Sequence, residues 1–504
     1  MLIRIASRSS FLAKWQAYEV GRAILQAFPE YRIEYQFRES LGDKNLIDPL
    51  WKMPEKGVFT EDFYSDLVEN RCDLIVHSWK DLPTEEKEKT FIAATLARAD
   101  QRDLLLFKKS SHGKNKVVIF SSSPRRVHHV KETLEWSLPF TAEIGFTDVR
   151  GNIQTRINKL MQNETIDGLI LAKAALDRLL NSTFYAETDF LQLQSQLKTQ
   201  LQNFDFQILP LSTNPTAAAQ GALAVEILRS REDLKALLAT INCQADFANC
   251  SFERAKLAEF GGGCHQKIGL SVVEVSKKRV FFASGVKENA GLIYNKSVLG
   301  TFDQKYSPTE VLSSTELWSS VERKNIAEIS AFDSKAVLIT KRESLHSFQL
   351  NNCAVFTAGV ETWKQLAKQK LWVHGTTDSL GESQLPDLQS WIADLLNVKD
   401  STWYKLTHQN SPVVESRQRI LNVATYQLHY EPKAGLNLKN LKMIYWKSGI
   451  EYLRAIAIWP ELKGIRHACG LGQTSKTIGS QAEPHKVTLY YNEKDWRNSV
   501  LQTF

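Results

Sequence analysis

The chain opens on a short apolar run at residues 2–6. Leu12, Trp15, Val20, Ala23, Ile24 and Phe28 then fall on one face at helical spacing. The pair predicts a strand followed by a helix. Residues 33–37 alternate as a strand does. The run DLIVH at 73–77 is almost wholly apolar and leads straight into SWKDLP; KVVIF at 116–120 leads in the same way into SSSPRR. GLIL at 168–171 precedes the helix-like AKAALDRLL. Strands alternating with helices predict α/β layers with mostly parallel sheets, and such sheets bind ligands beyond the carboxyl ends of their strands. The stretch 182–210, rich in Gln, Leu, Asn and Thr, shows no strand pattern and predicts an insertion or connecting helix. Residues 280–297 alternate apolar and polar and predict an antiparallel edge or hairpin. Around 322–333 the chain is charged and weakly periodic, which marks a boundary. AVLIT at 336–340 then restarts an α/β pattern, with further strand–turn–helix units at 443–449 and 465–474.

Composition narrows the classes. A chain of 504 residues is too long for one core and predicts about three to four domains. Hydrophobic residues make up 43% and charged residues 24%, as in folded rather than disordered proteins. No apolar run reaches the roughly 18 residues of a membrane span, and the opening MLIRIASRSSFLAKWQA lacks a signal-peptide h-region, so a cytoplasmic protein with no membrane partner is expected. Six scattered cysteines (Cys72, Cys243, Cys250, Cys264, Cys353, Cys469) form no CxxC pair, which argues for free thiols rather than a disulfide framework or a zinc site. The net charge of +7 permits an acidic partner. Without a nucleic-acid-binding motif, the expectation is a monomer that takes a small-molecule substrate and needs no nucleic acid and no metal.

Five strand-end or loop clusters are basic and rich in hydroxyls: Arg8 with Ser10, Lys80 with Asp81, residues 121–126 with Ser123, Arg125 and Arg126, the segment RGNIQTR with Arg150 and Arg156, and Arg178. Arginine presents a planar fork that pairs with carboxylates or phosphates, and helix N-termini add N–H donors for anions. Convergence of these cations would suit a ligand with many carboxylates; each taken singly also reads as solvated surface charge. Asp81, a carboxylate among cations, could offset a transient positive charge, accept an N–H, pair with Lys80 or cap a helix. The loop EFGGGCH at 259–265 sets three glycines before Cys264, giving a backbone that tolerates positive φ and a thiol able to carry a covalent group. An incidental cysteine in a glycine-rich turn fits the same letters, and His265 reads equally as a base or as a surface residue.

Taken in order, RIASRSSFLAKWQA, LGD (41–43), KGVF (56–59), VHSWKDLP, SSSPRR, RGNIQTR, LILAKAALDRL, AQGALAVE (219–226), ERAKLAEFGGGC and IG (268–269) resemble the porphobilinogen deaminase (hydroxymethylbilane synthase) family across about residues 1–325. The resemblance implies a dipyrromethane cofactor joined by a thioether to Cys264. It also implies loss of ammonia from porphobilinogen to give an electrophilic azafulvene, and four rounds of attack by the free α-carbon of the growing chain before water releases the tetrapyrrole. Asp81, with Lys80 and Cys264, is implied as catalytic. Lys80, Asp81, Ser123, Arg125, Arg126, Arg150 and Arg156 would hold the cofactor. Arg8, Ser10, Phe59, Arg150, Arg156 and Arg178 would hold substrate. The implied fold is two doubly wound α/β domains of solute-binding-protein type (1–96 plus 208–225, and 97–207) and a small α+β domain carrying the cofactor cysteine (226–328). The chain departs from the family pattern at Phe11, where proline is usual, at Pro54 and Glu55 for glycines, at Ala219 for glycine, at Ala174-Ala175 for Ala-Gly, and at Lys267 for proline.

The rest, a C-terminal α/β domain over 333–504, resembles uroporphyrinogen-III synthase on fewer residues. Tyr426 in ATY matches a tyrosine facing the cleft, Ser448 lies in the turn YWKSG, and Thr474 lies in GQTS. That family closes hydroxymethylbilane with inversion of the last ring, ahead of spontaneous closure to the type I ring. The segment is short for the usual two-domain enzyme, and a non-catalytic docking domain is the alternative. A solute-binding protein, or a basic scaffold for nucleic acid, would leave the GGGC loop without a purpose.

Overall fold

The computed structural model describes residues 1–39, 61–180, 188–261, 267–287, 291–301, 304–326, 331–345, 349–388, 390–396, 398, 402–412 and 419–501. It is mixed α/β and divides into two compact units. The first comprises 1–135, 140–272 and 283–294; the second comprises 136–139, 273–282 and 295–504. Among the described residues no helix is long and apolar enough to cross a membrane.

The first unit contains two five-stranded sheets built to one plan. In one, Leu2–Arg8 lies parallel between Arg32–Arg38 and Leu74–Ser78, followed by Leu223–Leu228 and Thr90–Ala94, with Leu223–Leu228 antiparallel to both its neighbours. In the other, Lys116–Phe120 lies parallel between Glu143–Thr147 and Gly168–Ala172, followed by Asp103–Lys108 and Phe204–Ile208, with Asp103–Lys108 antiparallel to both. The chain passes between the sheets twice, after Thr90–Ala94 and again before Leu223–Leu228. Strands covered on both faces read as continuous apolar runs, and Gly168–Ala172 is buried along its whole length. The helix Phe11–Ala27 buries Ala13, Gln16, Ala17, Val20, Gly21 and Ile24, a stripe at the spacing that one helix face requires.

The stretch 182–210 differs from its prediction. After the helix Thr188–Leu201 comes the strand Phe204–Ile208, antiparallel to Asp103–Lys108. Five residues are too few for a period to show against the glutamine-rich helix before them. Residues 280–297 fall on two strands, Lys278–Lys287 and Gly291–Val298, which neighbour each other in a three-stranded sheet with Gly269–Val275.

The second unit also contains two sheets. Ala336–Ile339 is flanked in parallel by Ala354–Thr357 and Thr402–His408. Gly375–Thr376 lies outside the former and Arg419–Pro432 outside the latter, and Trp318–Asn325 pairs antiparallel with Arg419–Pro432. In the second sheet Met443–Trp446 lies parallel between Val311–Ser313 and Arg466–Cys469, and Val487–Leu489 follows. The chain therefore starts in the second sheet, crosses into the first along Trp318–Asn325, and returns along Arg419–Pro432. Val311–Ser313 and Trp318–Asn325 belong to the sheets of the later unit because their hydrogen-bonding partners lie there.

Candidate functional site

In the first unit the strands Leu2–Arg8 and Leu74–Ser78 run side by side, with Ile5 opposite Leu74 and Ala6 opposite Ile75. Their carboxyl ends open a recess lined by Arg8, Ser10, Gln16, Ser78, Asp81 and Leu82, as expected for the strand ends of such a sheet. Asp81 is the one carboxylate among the described residues that line it. It closes a single 3₁₀ turn, Trp79–Asp81, anchored by the buried Trp79 ring among Ala219, Ala222, Ala224 and Cys250. Asp81 is exposed, while Lys80 reaches Gln220 Oε1 at 3.3 Å. Ser10 caps the helix Phe11–Ala27 by accepting from the Ala13 N–H. A capping hydroxyl accepts through a lone pair and keeps its O–H as a donor.

The arginines at the start of the helix Pro124–Ser137 converge on Asp103, which is 0% exposed. Arg125 Nη2 donates to Asp103 Oδ2 at 2.9 Å and its Nη1 to the Pro215 carbonyl at 2.9 Å. Arg126 donates from Nε and Nη2 to Asp103 Oδ1 at 3.0 and 2.8 Å. Asn214 and Gln220 donate to the same carboxylate. Burial would raise the Asp103 carboxyl, but Arg125, Arg126 and the Gln220 hydrogen bond overcome it and hold the group far below the usual carboxylate range. Arg125, with both terminal nitrogens engaged, therefore braces the site from inside. Ser123 Oγ accepts from the Arg126 N–H at 3.4 Å, as a helix cap does.

Other cations gather around the same turn. Lys80 lies within electrostatic reach of Asp81, Arg126, Asp103 and Arg125. Arg156 lies within reach of Arg126, Arg150 and Asp81. Among the described residues Lys80, Arg125, Arg126, Arg150 and Arg156 thus lie around Asp81 and Asp103, and Asp103 already takes Arg125 and Arg126. Burial pushes Arg156 down to about 10, helped by Arg126 and Arg150 and opposed by Asp81. Burial likewise brings Lys80 down to about 8 against the pull of Asp81. In both groups burial is the larger cause and like charge from the neighbouring arginines adds to it. Because the Lys80 charge is lost as pH rises through about 8, binding of a small polycarboxylate to the ligand-free chain is expected to weaken above that pH. Lys80→Arg is expected to extend binding to higher pH, and calorimetric titrations at two pH values on either side of the break check both.

Arg178 stands apart from this cluster. It is buried, donates to the Gly221 carbonyl at 2.6 Å and lies over the Trp15 ring at 5.7 Å. Burial lowers it to about 10 against Asp177 and Glu19. Gly221 takes φ +89°, and a Cβ there would meet the Ala99 carbonyl oxygen at 2.6 Å. Two places before it, Ala219 takes φ +62°, a left-handed conformation that costs a non-glycine residue roughly 1–2 kcal/mol. The departure at Phe11 has a packing partner, since its ring meets that of Phe190 at 6.2 Å. Phe59, the KGVF segment and Cys264 lie outside the described residues. Among the described cysteines, burial pushes Cys72, Cys250 and Cys469 up to about 12, which makes them poor nucleophiles.

In the second unit Tyr426, Ser448 and Thr474 line one cavity of about 350 Å³. Thr340, Ala358, His408, Ser448 and Gln473, at or just past the carboxyl ends of strands from both sheets, line it too. Ser448 caps the helix Gly449–Ile458, accepting from the Glu451 N–H at 3.2 Å. Tyr426 is more enclosed than a residue facing a cleft, at 3% exposure with the Arg323 guanidinium 4.8 Å from its ring centre. Sequence reasoning missed Asp103, Asn214 and Gln220 in the first unit and the pair Lys405–Glu382 in the second. Gln220 stood in the motif AQGALAVE, but nothing in the letters joined it to a strand 117 residues earlier.

Residues 3–236 match the family described as porphobilinogen deaminase, dipyromethane cofactor binding domain. The porphobilinogen deaminase of Syntrophomonas wolfei is 34% identical over 265 residues, which cover 52% of this chain and 78% of that protein. The porphobilinogen deaminase of Clostridium novyi is 30% identical over 310 residues, covering 60% of this chain and 94% of that protein.

Proposed function

Since the chain belongs to the porphobilinogen deaminase family, we propose that it joins four molecules of porphobilinogen into hydroxymethylbilane, releasing four of ammonia, from a primer attached at Cys264. The family's dipyrromethane cofactor belongs to the matched region. The observation that carries this reading is the cluster of cations around Asp81. A pyrrole bearing acetate and propionate groups brings negative charge to the neighbourhood of Lys80, Arg126, Arg150 and Arg156. The residues present therefore fit the cofactor by charge. When bound, it supplies a pyrrole ring with a free α-carbon from which the chain grows.

The protein's own groups then divide the work. Arg126, Arg150 and Arg156 hold carboxylates and orient the rings, and Arg8 and the Ser10 O–H hold those of the incoming substrate at the recess. Asp81 offsets the positive charge that develops as ammonia leaves porphobilinogen. A fixed carboxylate aimed at developing charge costs no reorganisation during the reaction. Asp103 keeps Arg125 and Arg126 in place.

The second unit we read as a uroporphyrinogen-III synthase-like domain that closes hydroxymethylbilane. Support comes from its cavity at the strand ends of two parallel sheets, lined by hydroxyls at Thr377, Ser379, Ser411, Ser448, Thr474 and Thr477 that suit a multiply charged anion. Porphobilinogen alone, given to the purified chain, tests both readings once the products are oxidised and the uroporphyrins separated. Mostly type III isomer is expected. Type I alone would leave the deaminase standing and make the second unit a docking domain, and no porphyrin at all from cofactor-loaded protein would overturn the deaminase reading.

A further inference from the structure

Below the rim of the second unit's cavity lies a charged pair with no evident structural purpose. Lys405, in the middle of the strand Thr402–His408, is 4% exposed, and its Nζ lies 2.7 Å from Glu382 Oε1. Both residues line the cavity. The neighbouring strands place Leu338 and Asn422 opposite Lys405, so neither supplies a second charge. A buried ion pair is a poor source of stability, because desolvation offsets most of its attraction and an apolar pair in its place is often neutral or better. Its position in a cavity is then the feature to explain.

Anchoring an anion does not explain it. Glu382 cancels the charge of Lys405, so the pair offers a polycarboxylate no net attraction. The cations suited to that task are Lys341 and Lys447, which line the same cavity and are exposed. The pair instead places an ammonium, a possible proton donor, inside the cavity beside a carboxylate. His408, on the same strand, is not that donor, since burial and then Lys405 push it down to about 4 and leave it neutral at pH 7. Tyr426 holds its proton tightly, its hydroxyl being raised by burial.

We propose that the Lys405–Glu382 pair is the proton-transfer element of this cavity, with Lys405 the acid on which a substrate hydroxyl leaves. The inference rests on the synthase reading of the second unit. In ring closure the hydroxyl on the terminal methylene takes a proton from the Lys405 ammonium. The C–O bond breaks with its electron pair on oxygen, and water departs. The methylene bonds to the substituted α-carbon of the last ring, the bond from that carbon to its original methylene breaks, and the methylene so released bonds to the ring's free α-carbon, whose displaced proton returns to the Lys405 amine. The pair ends as it began, one water is lost, and no oxidant or reductant is required.

Three variants of the full chain, fed porphobilinogen and assayed for uroporphyrin isomers, test this. Lys405→Met removes the acid. The double variant Lys405→Met/Glu382→Leu removes both charges and leaves no buried carboxylate alone. Lys405→Arg keeps the charge but holds its proton too tightly to transfer it at neutral pH. All three are expected to consume porphobilinogen as the parent does while the type III to type I ratio falls on the order of 10²-fold, the low end for loss of a positioned acid. A parent-like ratio in Lys405→Arg would mean that charge alone matters, and a parent-like ratio in the double variant would mean that the pair is inert; either overturns the proposal while the synthase reading stands. Should the methionine variants fail to fold, Lys405→Arg decides the question. A parent chain that yields only type I removes the synthase reading, and this inference with it.

Discussion

Asp81→Asn is expected to bind porphobilinogen with a nearly unchanged KM and to turn it over on the order of 10²–10³-fold more slowly, the cost of removing one electrostatic group from a developing charge. The substitution keeps the shape of the turn Trp79–Asp81, and the buried Trp79 that anchors it is untouched. The neighbouring cations remain and still hold the substrate carboxylates. What disappears is the one carboxylate among the described residues lining the recess, hence the counter-charge for the cation formed as ammonia leaves. Single-turnover kinetics separate binding from chemistry. A kcat within a few-fold of the parent would remove Asp81 from this role.

Asp103→Asn is expected to cost about 3–5 kcal/mol of stability, the usual penalty for leaving a buried charge without its partner. Here two guanidiniums lose their carboxylate at once, and Arg125, 4% exposed, has no water to turn to. The pH dependence has the corresponding sign. A carboxyl held below its unfolded value contributes stability in full above about pH 4, and that contribution is lost as pH falls toward its folded value. Urea denaturation at neutral pH checks the first expectation, and an unchanged midpoint would contradict the bracing role. Denaturation repeated in acid checks the second, since the gap between parent and variant should narrow.

Five of the ten strands in the first unit's two sheets were legible, most clearly those covered on both faces. Leu74–Ser78 and Gly168–Ala172 announce themselves as apolar runs that break abruptly into polar residues, and the recess opens at the end of the first. Phe204–Ile208 and Val311–Ser313 were not legible. They are short, and each takes its identity from a partner far along the chain, Asp103–Lys108 and Met443–Trp446 respectively. The same physics hid part of the site. Asp103 begins an ordinary strand in the letters QRDLLLF, and only folding brings Arg125, Arg126, Asn214 and Gln220 to it. Lys405 was hidden for the opposite reason. In TWYKLTH a lysine reads as the solvent side of a half-buried strand, yet strands on both sides enclose this one. The hydroxyls at Ser10 and Ser448 were legible as polar strand-end groups, but their service as helix caps was not, although serine before an amphipathic run is a capping signature.

Attachment of the primer at Cys264 is tested most directly by the intact mass of the purified chain, alone and after brief exposure to porphobilinogen. The parent chain is expected to exceed its sequence mass by one dipyrromethane and, on exposure, to show a ladder of added pyrrole units, while Cys264→Ala shows the bare sequence mass and no ladder. A parent chain at its bare mass under conditions where it consumes porphobilinogen, or a dipyrrole still attached to Cys264→Ala, would contradict the account.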